Sequence, residues 1–131
     1  MARNLNGFSR KKWRALGYYV EAGEHVSRIG KHVRRHDTFG FADLLCVKCG
    51  SIVLLQVTSW SNVSSRVNKI ANDTHGKGQW ERPIMDTALE LLSLFSVRIV
   101  VEGWRLSPKT NRWEVRSVEV TPALLRERRK E

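Results

Sequence analysis

The spacing of hydrophobic residues changes along the chain, and each spacing predicts a different element. Residues 4–16 carry apolar side chains at helical intervals and are followed by Gly17, which predicts a first helix. Residues 18–26 favour a strand that Gly23 interrupts, and the basic residues 27–36 are predicted to form a loop.

Two strongly apolar segments follow this basic stretch. Residues 38–48 (TFGFADLLCVK) and 51–58 (SIVLLQVT) are predicted to be strands joined by a turn at Cys49 and Gly50. Both alternating faces of the pair are apolar, which is typical of central strands covered on both sides of a sheet.

Three polar residues of this strand pair are predicted to converge on one patch. If the two-residue turn is tight, Asp43 lies opposite Gln56, with their Cβ atoms about 5 Å apart. Side chains alternate along a strand, so Thr58 lies on the same face as Gln56. An acid among apolar residues needs partners or a cation. Asp43 is therefore expected to bind a metal ion or, alternatively, to cap a backbone amide or pair with Arg66.

Helical spacing returns after the second strand. A helix is predicted at residues 62–72, with Asn62 as its N-cap and an apolar stripe along one side. Residues 73–82 are predicted to be a loop. Pro83 suits the first turn of a second helix over residues 83–95, which is apolar nearly all round and is therefore expected to be well buried.

The remaining residues predict a hairpin and a basic terminus. Residues 97–106 and 112–120 alternate as strands, with a slip at Arg116–Ser117 that predicts a bulge. The terminus, about 124–131, is expected to be a short helix or a basic tail. Together these elements predict a single mixed α/β domain spanning residues 1–131.

Composition narrows the class of protein. Of 131 residues, 41% are hydrophobic, which excludes disorder throughout. No apolar run approaches the roughly 20 residues that span a membrane, and the N-terminus lacks the apolar core of a signal peptide. The two cysteines, spaced as C-x-x-C, lack the further ligands of a zinc site and favour unpaired thiols in a reducing, cytoplasmic interior.

The charge points to a polyanionic partner. Lys and Arg total 23 against 13 Asp and Glu, for a net charge of +10, and the basic residues cluster at 10–14, 28–35 and 126–131. Such an excess favours nucleic acid as the partner, because binding releases counterions. An anionic membrane is less favoured, because the sequence predicts no strongly amphipathic surface helix. The alternative is that the basic faces only aid solubility.

The motifs DTFGFADLL, LLQVTS and SSRVNKI, with the later VEGWR, resemble the PD-(D/E)XK nuclease superfamily. This superfamily includes restriction endonucleases and small Holliday-junction resolvases, and the resemblance, over about residues 10–105, is to small phage and bacterial members. It implies a restriction-endonuclease-like α-β-β-β-α-β core with a mixed central sheet and a C-terminal β-hairpin. It also implies an endodeoxyribonuclease that uses Mg²⁺ or Mn²⁺. By analogy, branched DNA is the expected substrate, with a homodimer in the cytoplasm of a bacterium or a phage-infected host.

The resemblance assigns the metal site with one acid missing. Asp43 matches the first acidic ligand, while Gln56 takes the position of the second and brings an oxygen without a negative charge. Glu21 or Glu24 could supply the missing carboxylate, with Glu21 slightly favoured. Asp37 is less favoured, because six residues of extended chain place it about 20 Å from Asp43 unless Gly40 bends the strand.

The resemblance also leaves one positive charge missing. Thr58 takes the position of the lysine that orients water or stabilises charge, and Lys69 or Arg66 on the next helix is expected to replace it. Trp60 is expected to stack on a base or, alternatively, to cap the core. The residues expected to contact DNA are Lys31, Arg34, Arg35, Trp60, Arg66 and Lys69.

Two other function classes stay open on the sequence. The Gln56 and Thr58 departures favour a catalytically inactive nuclease-fold protein that binds DNA. An unrelated basic α/β protein that binds RNA or a protein partner is the third.

Overall fold

The computed structural model describes residues 4–30 and 32–130, with side chains described outside 24–29 and 32–36. These residues form four α-helices and nine strands. The helices are α1 (Leu5–Ala15), α2 (Val63–Asn72), α3 (Ile84–Leu92) and α4 (Pro122–Arg128). The strands are β1 (Tyr19–Ala22), β2 (Glu24–Ile29), β3 (His32–Asp37), β4 (Leu44–Lys48), β5 (Ser51–Ser59), β6 (Thr74–His75), β7 (Arg82–Pro83), β8 (Val97–Leu106) and β9 (Trp113–Val120).

A mixed five-stranded sheet of order β1-β4-β5-β8-β9 organises the fold. Strands β5 and β8 are parallel and are joined through α2 and α3, whereas the other neighbouring pairs are antiparallel. The predicted α/β class with a mixed central sheet and a C-terminal hairpin is therefore confirmed. No helix of the described chain has both the length and the apolarity needed to cross a membrane.

The two faces of the sheet are covered by different helices. Leu54 of β5 packs in one cluster with Val67 of α2 and Leu125 of α4. Its neighbours on the strand, Val53 and Leu55, pack on the other face with Trp13 of α1 and belong to a separate cluster. Because side chains alternate along a strand, residues two positions apart lie on the same face of the sheet, and this assigns every strand residue to one of the two faces. We call the face that carries Leu54 the α2 face.

The segment predicted as a basic loop is instead a β-hairpin. Strands β2 and β3 pair from Glu24–Asp37 to Ile29–His32 around Gly30. Val26, Ile29 and Val33 supply strand-forming residues between the charged positions, and this local preference outweighs the polar composition that predicted a loop.

The segment predicted as one strand over 38–48 begins with a tight bend instead. Thr38 and Ala42 exchange backbone hydrogen bonds of 3.1 and 2.9 Å. Phe39 and Gly40 inside the bend have positive φ of 56° and 84°. Glycine adopts this conformation without strain, so Gly40 permits the reversal that an extended strand would not make. Strand β4 therefore starts only at Leu44.

Several C-terminal predictions also need correction. Helix α3 ends at Leu92, and Leu94 and Phe95 are 56% and 97% exposed, so the predicted buried helix over 83–95 is too long. The register of β8 and β9 is continuous from Ile99–Val120 to Leu106–Trp113, so the predicted bulge is wrong. The segment 73–82, which was predicted to be a loop, contains the short strand β6 and the first residue of the short strand β7. These two strands pair with each other.

The basic C-terminus is held against the fold as α4. Thr121 caps this helix through its side-chain oxygen, and Leu125 is fully buried. Arg128 donates hydrogen bonds to the Ser64 hydroxyl and the Asn68 carbonyl of α2. Of the two predictions for this segment, the helix is confirmed over Pro122–Arg128.

Candidate metal site and basic groove

The hairpin register predicted from the sequence is confirmed. Lys48 pairs with Ser51 and Leu44 pairs with Leu55, and the Asp43 N–H donates to the Leu55 carbonyl at 2.8 Å. The turn residues Cys49 and Gly50 both have positive φ, which a type I′ turn requires. The ladder ends at this Leu44–Leu55 pair, so the predicted pairing of Asp43 with Gln56 is not part of it. Asp43 lies directly before β4, beside β5, where its Oδ2 accepts a hydrogen bond from the Val57 N–H, and the charge of Arg66 places it on the α2 side.

Asp37 joins Asp43 because the chain bends between them. The two side chains share a hydrogen bond, so the extended path that separated them in the sequence-based expectation is wrong. The bend is fixed from outside as well. The Gly23 N–H donates to the Asp43 carbonyl at 2.7 Å, and the Thr38 N–H donates to the Gly23 carbonyl at 2.9 Å. We call Asp37 and Asp43 the acid pair.

The acid pair retains a proton near neutral pH. The pKa of Asp43 is raised from 3.8 to about 7, above all by burial and in addition by the charge and hydrogen bond of Asp37. The Val57 N–H, which donates to Asp43 Oδ2 at 2.8 Å, and the charge of Arg66 both lower this pKa. Of the two alternatives to metal binding, amide capping is realised through the Val57 N–H, whereas Arg66 acts on Asp43 only by its charge and forms no ion pair with it among the described residues. They are outweighed by burial and by the second acid.

Gln56 of β5, on the α2 face, carries an unsatisfied oxygen. Its side chain is 3% exposed, and its Oε1 atom has no hydrogen-bond partner among the described residues. A buried carbonyl without a partner costs free energy, which a cation or another donor would recover. Two carboxylates and an amide oxygen are the hard oxygen ligands that Mg²⁺ and Mn²⁺ accept. The donor set of Asp37, Asp43 and Gln56 therefore fits a divalent cation.

The acids expected to complete the site are not gathered there. Glu21 pairs with Leu45 across β1 and β4, so it is a diagonal neighbour of Asp43 on the α2 face, but it is exposed. Among the described residues, no three acids, histidines or cysteines lie close enough together to hold a metal ion. Glu24 lies outside the described side chains. The carboxylate that lies beside Asp43 is the less favoured candidate Asp37, and Gly40 was the signal for the bend that brings it there.

Thr58 is buried on the α2 face and cannot supply a cation. It is 6% exposed and pairs in register with Gly103 of β8. The two residues expected to replace the missing lysine, Arg66 and Lys69, are half-buried on α2. Arg66 is near enough to Asp43 to lower its pKa, whereas Lys69 lies one turn further along the helix.

Arg66 and Lys69 line a polar groove of about 510 Å³ between α2 and the C-terminus. The residues that follow α4 border the groove, because the Lys130 N–H donates to Asn72 Oδ1 at 2.7 Å. The three cations face one acid, Asp73, so the groove carries an excess of positive charge. Its main polar lining residues are Asn62, Ser65, Arg66, Asn68, Lys69 and Lys130.

The other residues expected to contact DNA divide into two groups. Lys31 is outside the described residues, and the side chains of Arg34 and Arg35 are outside the described side chains. Trp60 is half-buried in a turn of 3₁₀ helix directly after β5. Its ring contacts the Arg105 guanidinium, whose carbon lies 3.9 Å from the ring centroid.

A second buried acid, Glu102, was not predicted, and it belongs to the opposite face. It is fully buried and forms an ion pair with Lys12, while Trp13 Nε1 and the Ser9 and Ser117 hydroxyls donate to its carboxylate. This satisfied network attaches α1 to the sheet. The sequence signal was an acid inside the apolar run VRIVVEGW. Cys46 and Cys49 are both free thiols, as expected.

Comparison with known proteins does not extend this description. No protein-family model matches the chain, and searches of curated proteins and of solved structures find no significant match.

Proposed function

We propose that this protein is a divalent-metal-dependent endodeoxyribonuclease. The observation that carries the proposal is the hydrogen-bonded acid pair, with Arg66 of the basic groove near enough to act on Asp43 by its charge. Two carboxylates that share a proton in a buried site repel each other once both are ionised. A divalent cation would relieve that repulsion and satisfy the amide oxygen together.

The order of the elements supports a restriction-endonuclease-like core. Helix α1 precedes three antiparallel strands, β1, β4 and β5, which are followed by α2 and then by the parallel strand β8. This is an α-β-β-β-α-β order, with the β2–β3 hairpin inserted after the first strand. The acid pair and Gln56 lie where the first antiparallel hairpin of that core meets α2.

The chemistry would divide between the bound ion and the protein side chains. Asp37, Asp43 and Gln56 would hold Mg²⁺ or Mn²⁺, which supplies an activated water and neutralises charge on the scissile phosphate. Arg66 would face that phosphate from α2 and would supply the positive charge that Thr58 cannot. Lys69 and Lys130 would hold neighbouring phosphates in the groove.

The resemblance extends the proposal to branched DNA and to a homodimer with paired sites. Cleavage of four-way junctions in preference to duplex DNA tests the first point. The mass of the protein in solution by multi-angle light scattering tests the second, and a monomer that cleaves DNA would refute the dimer.

A cleavage assay tests the nuclease activity directly. Branched, single-stranded and duplex DNA are incubated with Mg²⁺ or Mn²⁺ and with wild type, Asp43→Ala or Asp37→Asn. We expect cleavage by wild type and a loss of at least 100-fold in both variants. Asp86→Ala is the matched control, because Asp86 is an exposed acid on α3 whose removal should leave cleavage unchanged.

One observation favours a second function, a DNA-binding protein that retains the fold without the chemistry. Thr58, which is buried and uncharged, occupies the position where the resemblance expects a lysine. Under this alternative, wild type and Asp43→Ala bind DNA equally and neither cleaves it. That result would refute the enzyme and retain the binding protein.

A further inference from the structure

Trp60, Arg105 and Arg116 form a cluster at one end of the sheet, on the α2 face. Gly103 of β8 makes the cluster possible, because a Cβ atom there would lie 2.9 Å from Trp60 Cα and 2.2 Å from Val63 Cγ2. Without a side chain at Gly103, the turn that carries Trp60 rests directly on the sheet. Arg116 of β9 pairs with Gly103 of β8, and Arg105 lies two residues beyond Gly103 on β8.

Both guanidinium groups are held by the tryptophan. Their carbon atoms lie 3.9 Å (Arg105) and 5.1 Å (Arg116) from the centroid of the Trp60 ring, within the range of a cation–π interaction. Arg116 Nη2 also donates to the Trp60 carbonyl at 2.6 Å. At 3.9 Å, Arg105 occupies the space that a base stacked on the ring would need. Trp60 is therefore suited to positioning the two arginines rather than to stacking on a base there.

The cluster keeps a net positive charge. Arg105 forms an ion pair with Glu114 across the strands, at 2.5 Å. Among the described residues, no carboxylate lies within ion-pair distance of Arg116, which is exposed on the surface. A guanidinium held in place by an indole and a carbonyl presents its remaining N–H donors in a fixed fork, which matches the oxygens of a phosphate.

The cluster lies on the same side of the sheet as the candidate metal site. Arg116 is two strands and two residues away from Gln56, which corresponds to about 12 Å between their Cα atoms. Arg66, on α2, belongs to the same face. A nucleic-acid strand that passes Gln56 and Arg66 thus has a second cationic contact within a few nucleotides.

We propose that Trp60, Arg105 and Arg116 form a phosphate-binding cluster that holds the backbone of the nucleic acid beside the candidate metal site. This inference rests on the proposed function for the identity of the ligand as DNA. Trp60 is a positioning residue, and Arg116 provides the main contact. The cluster and the groove then bind two positions of one bound DNA.

The salt dependence of DNA binding tests the cluster without requiring cleavage. Affinity for a labelled duplex is measured in EDTA between 50 and 200 mM salt, for wild type and Arg116→Gln. Each phosphate contact contributes about 0.9 to the slope of log affinity against log salt. We therefore expect the variant to lose about one unit of slope, so that its affinity falls about three- to four-fold less than that of wild type over this salt range.

The matched control is Arg98→Gln. Like Arg116, Arg98 is an exposed arginine of the β8–β9 hairpin, but it lies on β8 at the opposite end of the strand and forms an ion pair with Glu119 of β9. We expect its slope to equal that of wild type. Arg116→Lys keeps the charge without the fork and should retain the slope while weakening binding.

Each other outcome has a definite meaning. Equal slopes for Arg116→Gln and wild type, or an equal loss in Arg98→Gln, would overturn the cluster and leave the nuclease proposal standing. A specific loss of slope in Arg116→Gln would support the cluster even if wild type cleaves no DNA, in which case only the nuclease proposal fails. Absence of DNA binding by wild type at 50 mM salt would overturn both.

Discussion

Replacing Asp43 by Asn should remove a pH-dependent loss of stability that wild type suffers. The Asp43→Asn side chain still offers an oxygen to the Val57 N–H, and its amide can donate to Asp37, so it imitates the protonated acid. The folded state of wild type binds this proton more tightly than the unfolded state does, because the pKa is raised from 3.8 to about 7. Stability must therefore fall as the pH rises from about 4 to 7 and change little above that.

The size of the effect follows from the two pKa values. Between pH 5 and pH 8, ionisation of Asp43 should lower the free energy of unfolding of wild type by about 2–3 kcal/mol relative to Asp43→Asn. The measurement is urea unfolding of both proteins at several pH values, in EDTA. Histidines and other groups titrate in both proteins, so the difference between the curves isolates Asp43.

A second variant and the addition of Mg²⁺ extend this measurement. Asp37→Asn removes the neighbouring charge and should reduce the pH-dependent loss, because Asp37 is one cause of the raised pKa. At pH 8, 10 mM Mg²⁺ should stabilise wild type by about 1.4 kcal/mol if the dissociation constant is about 1 mM, and should not stabilise Asp43→Asn. Parallel curves for wild type and Asp43→Asn from pH 5 to pH 8 would refute the burial of an ionisable acid at this site.

Three other substitutions test the site and its frame. Gln56→Glu should tighten Mn²⁺ binding in calorimetry by about tenfold or more, because it adds a negative charge beside the acid pair, and an unchanged affinity would place Gln56 away from the metal. Gly40→Ala should lower the free energy of unfolding by about 2–3 kcal/mol, because a Cβ atom at φ 84° would lie 2.9 Å from His75 Cβ. The control is Gly50→Ala, at φ 78° with no atom within 4 Å, which should lower the free energy of unfolding by only about 1 kcal/mol. Equal losses in the two variants would contradict the role of the bend. Arg128→Ala should lower the free energy of unfolding by about 1–2 kcal/mol through its lost hydrogen bonds to Ser64 and Asn68, whereas Arg126→Ala, on the exposed side of α4, should leave the melting temperature unchanged.

The sequence by itself determined the elements whose signals are local. Helices α1 and α2 and the β8–β9 hairpin follow from hydrophobic spacing and from turn residues. The β4–β5 register follows from the two-residue turn and holds from the Lys48–Ser51 pair to the Leu44–Leu55 pair, next to Asp43. These features depend on neighbours within a few residues, and local preference is enough to specify them.

Tertiary structure decided which polar groups meet. Asp37 reaches Asp43 only because the chain reverses at Gly40, and the sequence showed the glycine but not the direction of the turn. The missing carboxylate expected from Glu21 stays exposed, because β1 is an edge strand. Likewise, Arg105 and Arg116 gather at Trp60 only because β8 and β9 bring them together over Gly103. Contacts between distant segments depend on strand order and packing, and a single sequence does not state these. It named most of the residues of the candidate site, and the fold selected which of them act together.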